Sequence, residues 1–429
     1  MKPPQLDGSV PALIVKVGSY RWHHGGVGAI RSLGRLGVPV YAVVEDRRTP
    51  AAVSRYLQDR FVWPTTGAED PGWLVEGFLD IGQRIGRPTV LIACDDEAAV
   101  LIAEHARELA GTFLFPEVMP SLPRTLADKH GLYQTCLEHG VATPRAASAS
   151  EMDELDQLAA TIGFPLVVKD RGVSERLLTQ TVATTTRFDD IGHLRSTAQT
   201  WGEEFSVLVQ EYLPVEDAED WIVHAYCDES SNCLVQFSGV KVRSYPPHAG
   251  VTTAAYSVPN PVLSEITQRF VKDIGYSGVL DIDWRYDRRD GQYKLLDFNP
   301  RVGAQFRLFE NEAGIDVVRS LHLDMTGREV PVANQVNGRR YVVETLDVIP
   351  ALAPRRGYIT PSAPDRAAAT ELAWFAWDDI RPALVMIANL PVLALRRLQR
   401  MLRSAEPRRL RTKWRMRALG PEHPATTAS

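Results

Sequence analysis

The sequence predicts two different folds in one chain: an α/β N-terminal domain with a parallel sheet, followed by an α+β unit. Short apolar runs alternate with helical patterns over residues 12–110, which favours parallel strands joined by crossover helices. Further along, two strand-like runs are separated only by the turn 288–291, which is typical of an antiparallel hairpin. The length of 429 residues allows roughly two to three domains of ordinary size.

The elements of the first domain follow from spacing and composition. Residues 12–18 (ALIVKVG) are apolar and rich in β-branched side chains, so they predict a buried strand. Helical spacing follows over residues 25–37, and residues 38–45 predict a second strand. Residues 88–110 combine a strand, an acidic turn and a helix, and we expect this domain to end near residue 118.

The rest of the chain mixes helices with antiparallel strands. Helices are predicted over residues 126–140 and 261–275. The predicted strands are 164–170, 206–213, 220–227, 233–245, 278–287 and 292–300. We divide the chain into an N-terminal domain (1–118), two parts of the α+β unit (119–205 and 206–330), an extension (331–372) and a tail (373–429).

Composition and charge narrow the class of protein. The chain is 45% hydrophobic and 24% charged, as ordinary globular proteins are, and its net charge of −5 does not predict a nucleic-acid partner. The four cysteines form no C-x-x-C pair, which favours a reduced, cytoplasmic chain. No uninterrupted apolar run reaches about 18 residues, so we predict no membrane-spanning helix.

Carboxylates and an amide cluster on the predicted hairpin. Asp297 and Asn299 lie two residues apart on one strand, so their side chains share a face. The short turn allows Asp283, on the preceding strand, to lie beside Asp297. Oxygen ligands of this kind suit Mg²⁺, which takes one or two carboxylates and completes its shell with water and phosphate. We therefore predict a metal site at Asp283, Asp297 and Asn299, with a solvated sheet face as the alternative.

The segment GVLDIDWRYDRRDGQYKLLDFNPR, residues 278–301, resembles the metal-binding end of the ATP-grasp superfamily. Those proteins carry an acid on one strand and an acid-x-Asn-Pro-Arg motif on the next. The resemblance covers about residues 10–325 and implies an ATP-grasp fold that holds ATP between two subdomains, here 119–205 and 206–330. It implies ATP and Mg²⁺ as cofactors, with Mn²⁺ as an alternative. The second acid is often Glu in the family, and the shorter Asp297 leaves one or two metal ions open.

Two lysines are similar to the family lysines that contact the nucleotide phosphates. Lys129 begins the predicted helix segment KHGLYQ, and Lys169 ends the apolar strand segment GFPLVVKD. Many family members have a glycine-rich loop after the second lysine, whereas this chain has a single Gly172 there. In place of a glycine-rich loop, the candidates for contacting phosphate are Ser174, Arg176 or Thr179.

The segment VQEYLP (209–214) resembles the hinge strand that passes the adenine ring. The resemblance implies that the backbone of Glu211 and Leu213 binds the ring and that Gln210 or Glu211 accepts the exocyclic amine. An acid beyond the hinge binds the ribose hydroxyls in the family. Asp220 fits this role because it directly precedes the strand WIVHAY, and Glu219 is the alternative.

The resemblance implies an ADP-forming carboxylate–amine ligase that takes a small-molecule carboxylate and an amine. Transfer of the γ-phosphoryl group of ATP turns a carboxylate into an acyl phosphate, a good acyl donor. Arg301 is similar to the arginine that steadies the transferred group or the carboxylate. Lys241 and Arg243 are two apart on a predicted strand and are assigned to the phosphate and acceptor carboxylate, with a solvent-facing basic strand as the alternative. His248 follows in a loop and is more typical of a surface residue.

Two other classes of protein remain as alternatives. The segment GGVGAIR, with Glu45 about 20 residues later, partly matches the fingerprint of a dinucleotide-dependent oxidoreductase. A non-catalytic nucleotide-binding protein is the second alternative. His23, His24 and the acids of residues 95–97 are candidates for lining a substrate site, although acids at a helix N-terminus are also favoured by the helix dipole.

The tail combines aromatic, apolar and basic segments. Trp374, Phe375 and Trp377 precede an apolar stretch, and residues 396–417 hold ten Arg or Lys and one acid. This pattern predicts an interfacial helix that contacts the inner face of a membrane. Packing on the protein's own core and a homodimer contact are the alternatives.

Overall fold

The parallel sheet expected near the N-terminus is present in the computed structural model, which describes residues 5–170, 185–202, 205–245, 250–352, 360 and 362–391. Its strands are β1 (Ala12–Val15), β2 (Val40–Val44), β3 (Leu57–Val62), β4 (Thr89–Ala93) and β5 (Phe113–Leu114), all parallel, in the order β3-β2-β1-β4-β5. The helices are His24–Gly34, Pro71–Ile85, Asp96–Glu104 and Ala106–Leu109, with a 3₁₀ turn at Ala51–Val53. Every residue of β1 is buried, as expected for a central parallel strand.

A second, antiparallel sheet forms a small subdomain. Its strands are β6 (Ala146–Ala149), β7 (Leu166–Asp170), β8 (Thr186–Phe188) and β9 (Val207–Glu211), in the order β6-β9-β7-β8. The associated helices are Leu122–Ala127, Lys129–Glu138, Met152–Ile162 and Ile191–Ala198. The prediction of a single helix over 126–140 is therefore wrong in detail. The helix is interrupted at Asp128, which has an extended backbone and caps the second helix. The loop that carries Gly172, Ser174, Arg176 and Thr179 lies outside the described residues.

A third sheet forms the large subdomain. Its strands are β10 (Ala218–Cys227), β11 (Cys233–Tyr245), β12 (Val251–Ser257), β13 (Gly278–Asp287), β14 (Gln292–Asn299), β15 (Arg339–Val342) and β16 (Ala369–Leu372), in the order β14-β13-β10-β11-β12-β15-β16. The helices are Pro261–Asp273, Val317–Met325 and Glu344–Leu352, with short turns at Val215–Asp217 and Phe306–Leu308. Apolar side chains such as Phe270, Leu280 and Phe298 form its core.

Residues beyond 331 add strands to this large sheet. β15 pairs with β12, and β16 lies parallel to β15. Residues 373–379 then contact the N-terminal domain, where Trp374 is 3% exposed and its ring packs edge-on against His24. Trp374 is therefore unavailable as an interfacial aromatic residue, whereas Trp377 is 88% exposed. The division into five segments drawn from the sequence stays a prediction.

The chain divides into two compact units, Met1–Ala383 and Leu384–Ser429. Residues 381–391 are helical, and the basic segment 396–417 lies outside the described residues. Within the described ranges, no helix is long and apolar enough to cross a membrane.

Candidate functional site

A cavity of about 500 Å³ lies where the small and large sheets face each other. The small subdomain contributes β7 and β9, and the large subdomain contributes β10, β11, β13 and β14. Nine of the residues predicted from sequence line it: Lys129, Lys169, Gln210, Glu211, Leu213, Asp220, Lys241, Asp283 and Asp297. The structure thus brings together residues that are up to 168 positions apart in the chain.

Two carboxylates meet on one wall of the cavity. Asp283 and Asp297 are direct partners across the antiparallel pair β13–β14. The register shifts immediately after this pair, so that Leu296 is inserted between the partners of Asp283 and Trp284. A bulge of this kind re-aims side chains, and Leu296 and Asp297 consequently both line the cavity although they are neighbours.

Each carboxylate is paired with a lysine from another element. Asp283 lies 2.6 Å from the Nζ atom of Lys241 on β11, and Asp297 pairs with Lys129. Burial raises the pKa of the Asp283 carboxyl and Lys241 opposes this, while Asp281 and Asp297 raise it further, and the net shift is upward. The two carboxylates of this wall are thus matched by two lysines, and burial disfavours the ionised form of Asp283.

The donor set fits a hard cation that brings further ligands with it. Within the described part of the chain, no three His, Cys, Asp or Glu side chains are grouped to hold a metal by themselves. Two carboxylates are nevertheless the usual protein share of a Mg²⁺ shell that is completed by water and substrate phosphate. Asp283 and Asp297 are the residues that would hold such an ion.

Asn299 and Arg301 lie at the end of β14, next to the cavity but not in its lining. Arg301 Nη2 donates to Asn299 Oδ1 at 2.8 Å and Arg301 Nη1 donates to Asp281 Oδ2 at 3.0 Å. Arg301 Nε also lies 3.2 Å from Asp96 of the N-terminal domain. Burial lowers the pKa of the Arg301 guanidinium, but Asp96 and Asp281 outweigh burial and the pKa is raised. The predicted metal role of Asn299 and substrate role of Arg301 both require these bonds to rearrange.

A buried histidine completes this network. His224 on β10 is fully buried and its Nε2 atom lies 3.1 Å from Asp281 Oδ1. Gly303 is required here, since a Cβ atom at this position would lie 2.1 Å from His224 Cε1 and 2.6 Å from Asp281 Oδ2. The backbone after Arg301 can therefore pass close to the His224–Asp281 pair only without a side chain.

Lys129 is positioned by the break between two helices. Asp128 accepts a hydrogen bond from the Gly131 amide at 2.7 Å, so that Lys129 begins the second helix and reaches Asp297. A Cβ atom on Gly131 would lie 2.5 Å from the Thr125 carbonyl oxygen. The glycine thus permits the tight junction that sets the direction of Lys129.

Lys169 ends β7 on the opposite side of the cavity. Burial and the nearby Lys129 lower the pKa of its ammonium group and Asp297 opposes them, which leaves a pKa of about 8. A partly desolvated lysine with this pKa is still mostly protonated at neutral pH and is suited to bind an incoming anion.

The hinge strand presents a free backbone donor. The Glu211 amide donates to the Arg145 carbonyl at 2.9 Å, and the Glu211 carboxylate lies 2.9 Å from the Arg145 guanidinium. The Leu213 carbonyl accepts from Arg285 at 3.4 Å, whereas the Leu213 amide has no acceptor among the described residues. Leu213 is buried in the cavity wall, so its N–H is the hinge donor that a planar base would satisfy.

The structure separates the two ribose candidates. Asp220 lines the cavity and forms two hydrogen bonds with Arg285, its cross-strand partner on β13, at 2.6 and 3.1 Å. Glu219 points to the other face, where it accepts from Ser362 and from Trp221 Nε1. Asp220 is therefore the acid that a nucleotide in this cavity would meet.

Arg243 does not lie beside Lys241, and the expectation that the two share a face is wrong. The register of β11 against β12 shifts between these residues, so that Lys241 pairs with Ala255 and Arg243 with Ala254. Arg243 instead forms a bidentate pair with Asp347 at 2.8 and 2.6 Å. Its proposed role in substrate binding stays untested, and His248 lies outside the described residues.

The glycines of the N-terminal domain are explained by packing. A Cβ atom on Gly25 would lie 3.0 Å from Ala304, and one on Gly28 would lie 2.9 Å from Phe306. Glu45, the acid required by the dinucleotide alternative, is paired with Lys16. The helix that begins at His24 therefore uses its glycines to approach the large subdomain, which disfavours a dinucleotide site.

The acids after β4 act partly as structural groups. Asp95 caps the helix Asp96–Glu104 and also accepts from the Val17 and Gly18 amides at 2.9 and 2.7 Å. Burial, together with the nearby Glu97, raises the pKa of the Asp95 carboxyl to about 7. His24 Nδ1 donates to Ala304 O at 2.8 Å and lies 3.0 Å from Tyr341 Oη, and burial lowers the pKa of the His24 imidazole to about 4.

Several lining residues were missed by the sequence analysis, among them Arg285, Tyr212 and Leu296. Arg285 becomes visible only when the register of β10 against β13 is known, because it follows Asp283 by two positions and faces Asp220. Leu296 lines the cavity only because of the bulge. Tyr212 could have been found, since it lies inside the hinge segment; its ring stacks under Arg187 at 4.3 Å.

A cleft between two subdomains, with Lys129 and Lys169 on the small one and Asp283 and Asp297 on the large one, is typical of an ATP-grasp domain. Residues 128–324 match the sequence family described as the carbamoyl-phosphate synthase L chain, ATP binding domain. Residues 128–324 are thus similar to an ATP-grasp domain, and the resemblance recognised from the sequence is confirmed.

Individual relatives agree with this assignment. A D-aspartate ligase from Enterococcus faecium is 27% identical over 54% of this chain and 57% of that protein. This chain thus spans little more than half the length of that curated relative.

The solved structures that share this fold include a synthetase and an amino acid ligase. N5-carboxyaminoimidazole synthetase from Staphylococcus aureus complexed with ADP has a TM-score of 0.58 and 12% identity, covering 79% of this chain and 82% of that one. L-amino acid ligase from Bacillus licheniformis has a TM-score of 0.54 and 15% identity, covering 77% and 79%.

Proposed function

We propose that this protein is an ATP-dependent, ADP-forming carboxylate–amine ligase that acts through an acyl phosphate. The convergence of Lys129, Lys169, Asp283 and Asp297 on one cavity carries this proposal. Phosphoryl transfer needs positive groups at the phosphates and carboxylates that hold a divalent cation, and both sets face the same space.

The residues of the site have distinct roles toward ATP or the carboxylate substrate. The Leu213 amide and Gln210 orient the base, and Asp220, itself fixed by Arg285, orients the ribose. Lys129 and Lys169 hold the phosphates from the small subdomain, and Lys241 approaches from β11. Asp283 and Asp297 would hold Mg²⁺, which would neutralise phosphate charge. Arg301 steadies the substrate carboxylate, and the side-chain oxygen of Asn299, which accepts from Arg301 here, would join the carboxylates in holding the ion.

The similarity to a D-aspartate ligase makes D-aspartate the first carboxylate to test. The test is a screen of carboxylic acids with ATP, Mg²⁺ and hydroxylamine as surrogate amine, followed by measurement of ADP and hydroxamate. An acid that is activated to an acyl phosphate yields a hydroxamate in proportion to ADP. ADP release without hydroxamate would contradict the ligase mechanism.

The alternative of a non-catalytic nucleotide-binding protein gives a distinct outcome. It predicts calorimetric binding of ATP but no ADP formation with any acid and amine pair. The oxidoreductase alternative predicts binding of a dinucleotide by the N-terminal domain, which the packing of Gly25 and Gly28 argues against.

We also propose a cytoplasmic location, with the basic tail contacting an anionic membrane surface and a homodimer contact as the alternative. Ten Arg or Lys with one acid over 396–417 support the electrostatic part. Co-sedimentation with anionic vesicles, comparing the full chain with a version truncated after Asp379, tests it. Binding that is weak and equal for both would contradict the membrane contact, while lost self-association on truncation would favour the dimer.

A further inference from the structure

The two strands β10 and β11 are joined by a hairpin that has a cysteine on each side. Cys227 ends β10 and Cys233 begins β11, and the two are direct partners across the pair. Their Sγ atoms are 2.9 Å apart. The other cysteines, Cys94 and Cys136, are buried in different elements and belong to no such pair.

The turn between these cysteines is held by one carboxylate. Asp228 Oδ1 accepts from the Ser230 and Asn232 amides at 3.0 and 2.8 Å, and Asp228 Oδ2 accepts from the Asn232 side chain at 3.2 Å. The Asp228 amide donates to the Asn232 carbonyl at 3.0 Å, which closes the turn directly beside the cysteine pair. The register that places the two thiols together is therefore fixed by local hydrogen bonds.

A neighbouring helix anchors the same hairpin. Gln268, on the helix Pro261–Asp273, accepts from the Cys233 amide at 2.9 Å and donates to the Ser231 carbonyl at 3.0 Å. Once one of two thiols held in this way carries a mixed disulfide, the other attacks it far faster than a thiol in solution would, because their approach costs no further ordering.

The two thiols differ in access to solvent. Cys227 is fully buried, whereas Cys233 is partly exposed. Burial raises the pKa of the Cys227 thiol, and Cys233 and Asp228 add to the shift. An external oxidant therefore meets Cys233 first, and Cys227 is the thiol placed to complete the reaction.

We propose that Cys227 and Cys233 are a covalent modification site that forms an intramolecular disulfide on reaction with a low-molecular-weight disulfide such as oxidised glutathione. The Cys233 thiolate attacks one sulfur of the oxidant, forming a mixed disulfide and releasing one thiol. The Cys227 thiolate then attacks Cys233 Sγ and releases the second thiol. Two cysteine thiols and one oxidised glutathione thus give one protein disulfide and two reduced glutathiones.

The test uses the full chain, reduced, desalted and then incubated with oxidised glutathione without denaturant. Free thiols are counted after denaturation, and non-reducing peptide mapping locates any linkage. Of the four cysteines, we expect two to remain free and the other two to be joined as 227–233. The Cys233→Ser variant should instead keep the Cys227 thiol free, because the residue that meets the oxidant is missing.

The control is the wild-type chain in urea, where the turn is lost and glutathione adducts should form on all cysteines without preference for one pair. Four free thiols after exposure of the folded chain, a stable glutathione adduct on Cys233, or a linkage to Cys94 or Cys136 would each overturn the proposal. These results are independent of ligase activity and can be read directly from the wild-type peptide map.

Discussion

Asp297 is the residue at which the metal proposal can be tested most directly. Its carboxylate faces Asp283 and pairs with Lys129, so replacement by the isosteric amide removes one charge and little volume. We expect Asp297→Asn to reduce ADP formation by about 100-fold or more, because the site loses a carboxylate that would hold the cation facing the transferring phosphates. Nucleotide binding should survive in weakened form, measured by calorimetry.

The matched control is Asp290→Asn, in the exposed turn of the same hairpin. Asp290 lies 2.8 Å from Lys294 and outside the cavity lining, so its loss should leave turnover near wild type. Near-normal ADP formation by Asp297→Asn with Mg²⁺ would show that the metal assignment is wrong.

Lys169 should make nucleotide affinity depend on pH. Its pKa is lowered to about 8 by burial, and phosphate binds to the protonated form. A bound phosphate favours protonation, so the contribution of Lys169 to affinity is complete below its free-state pKa and falls as pH rises above about 8. Titration calorimetry of ATP across this range should show the loss.

Two substitutions distinguish this effect from a general one. Lys169→Ala should weaken ATP binding at neutral pH and remove the alkaline loss. Lys169→Arg keeps a charge across the range and should also flatten the profile while retaining more affinity. Unchanged affinity and turnover in Lys169→Ala would show that Lys169 does not bind the phosphates.

At the level of secondary-structure elements, Asp95 holds both a helix and a loop. Its carboxylate accepts from Ala98 at the helix N-terminus and from Val17 and Gly18 after β1. We expect Asp95→Ala to lower the free energy of unfolding by about 3 kcal/mol, because a cap is lost and buried amides are left unpaired. Chemical denaturation measures the difference.

Asp70→Ala is the comparison, since Asp70 is also a helix N-cap but is exposed, and its side chain caps through the Trp73 amide. Its loss should cost about 1 kcal/mol. Equal effects of the two substitutions would mean that the bonds from Asp95 to the β1 loop contribute nothing.

The elements themselves differ in how well the sequence predicts them. β11 has the predicted bounds, because strongly alternating apolar residues and the flanking turns mark both ends. The interruption at Asp128 was not predicted, because the apolar pattern continues through it and only the cap and the approach of Gly131 to Thr125 require the break.

Site residues could be predicted from the sequence where their residue type and a short turn were enough to place them together. Asp283 and Asp297 were placed together because the turn fixes their register. The separation of Arg243 from Lys241 could not be predicted, because a bulge inverts side-chain direction without any signal in the apolar pattern. Likewise, the engagement of Arg301 by Asp96 depends on how the two domains pack.

At the scale of the whole first unit, the contact between the N-terminal domain and residues 373–379 is concentrated at Asp379. Its carboxylate accepts from Arg31 Nε at 3.0 Å, Ser54 Oγ at 2.7 Å and the Arg55 amide at 3.0 Å. Arg31 and Asp379 are 2% and 1% exposed. This segment therefore joins the end of the large sheet to the first domain through a buried ion pair.

We expect Asp379→Ala to lower the free energy of unfolding by about 3–5 kcal/mol, because the guanidinium of Arg31 would remain buried without its carboxylate. Asp378→Ala is the matched control at the adjacent position. Asp378 binds Arg35 and Tyr56 at the surface with a side chain that is 42% exposed, so its loss should cost about 1 kcal/mol or less. Thermal melting and denaturant titration of both variants measure the difference. If Asp379→Ala has the same melting temperature as the wild type, the buried pair does not hold residues 373–379 to the N-terminal domain. A large loss for both variants would instead assign the stability to the surface pairs of Asp378 as much as to the buried one.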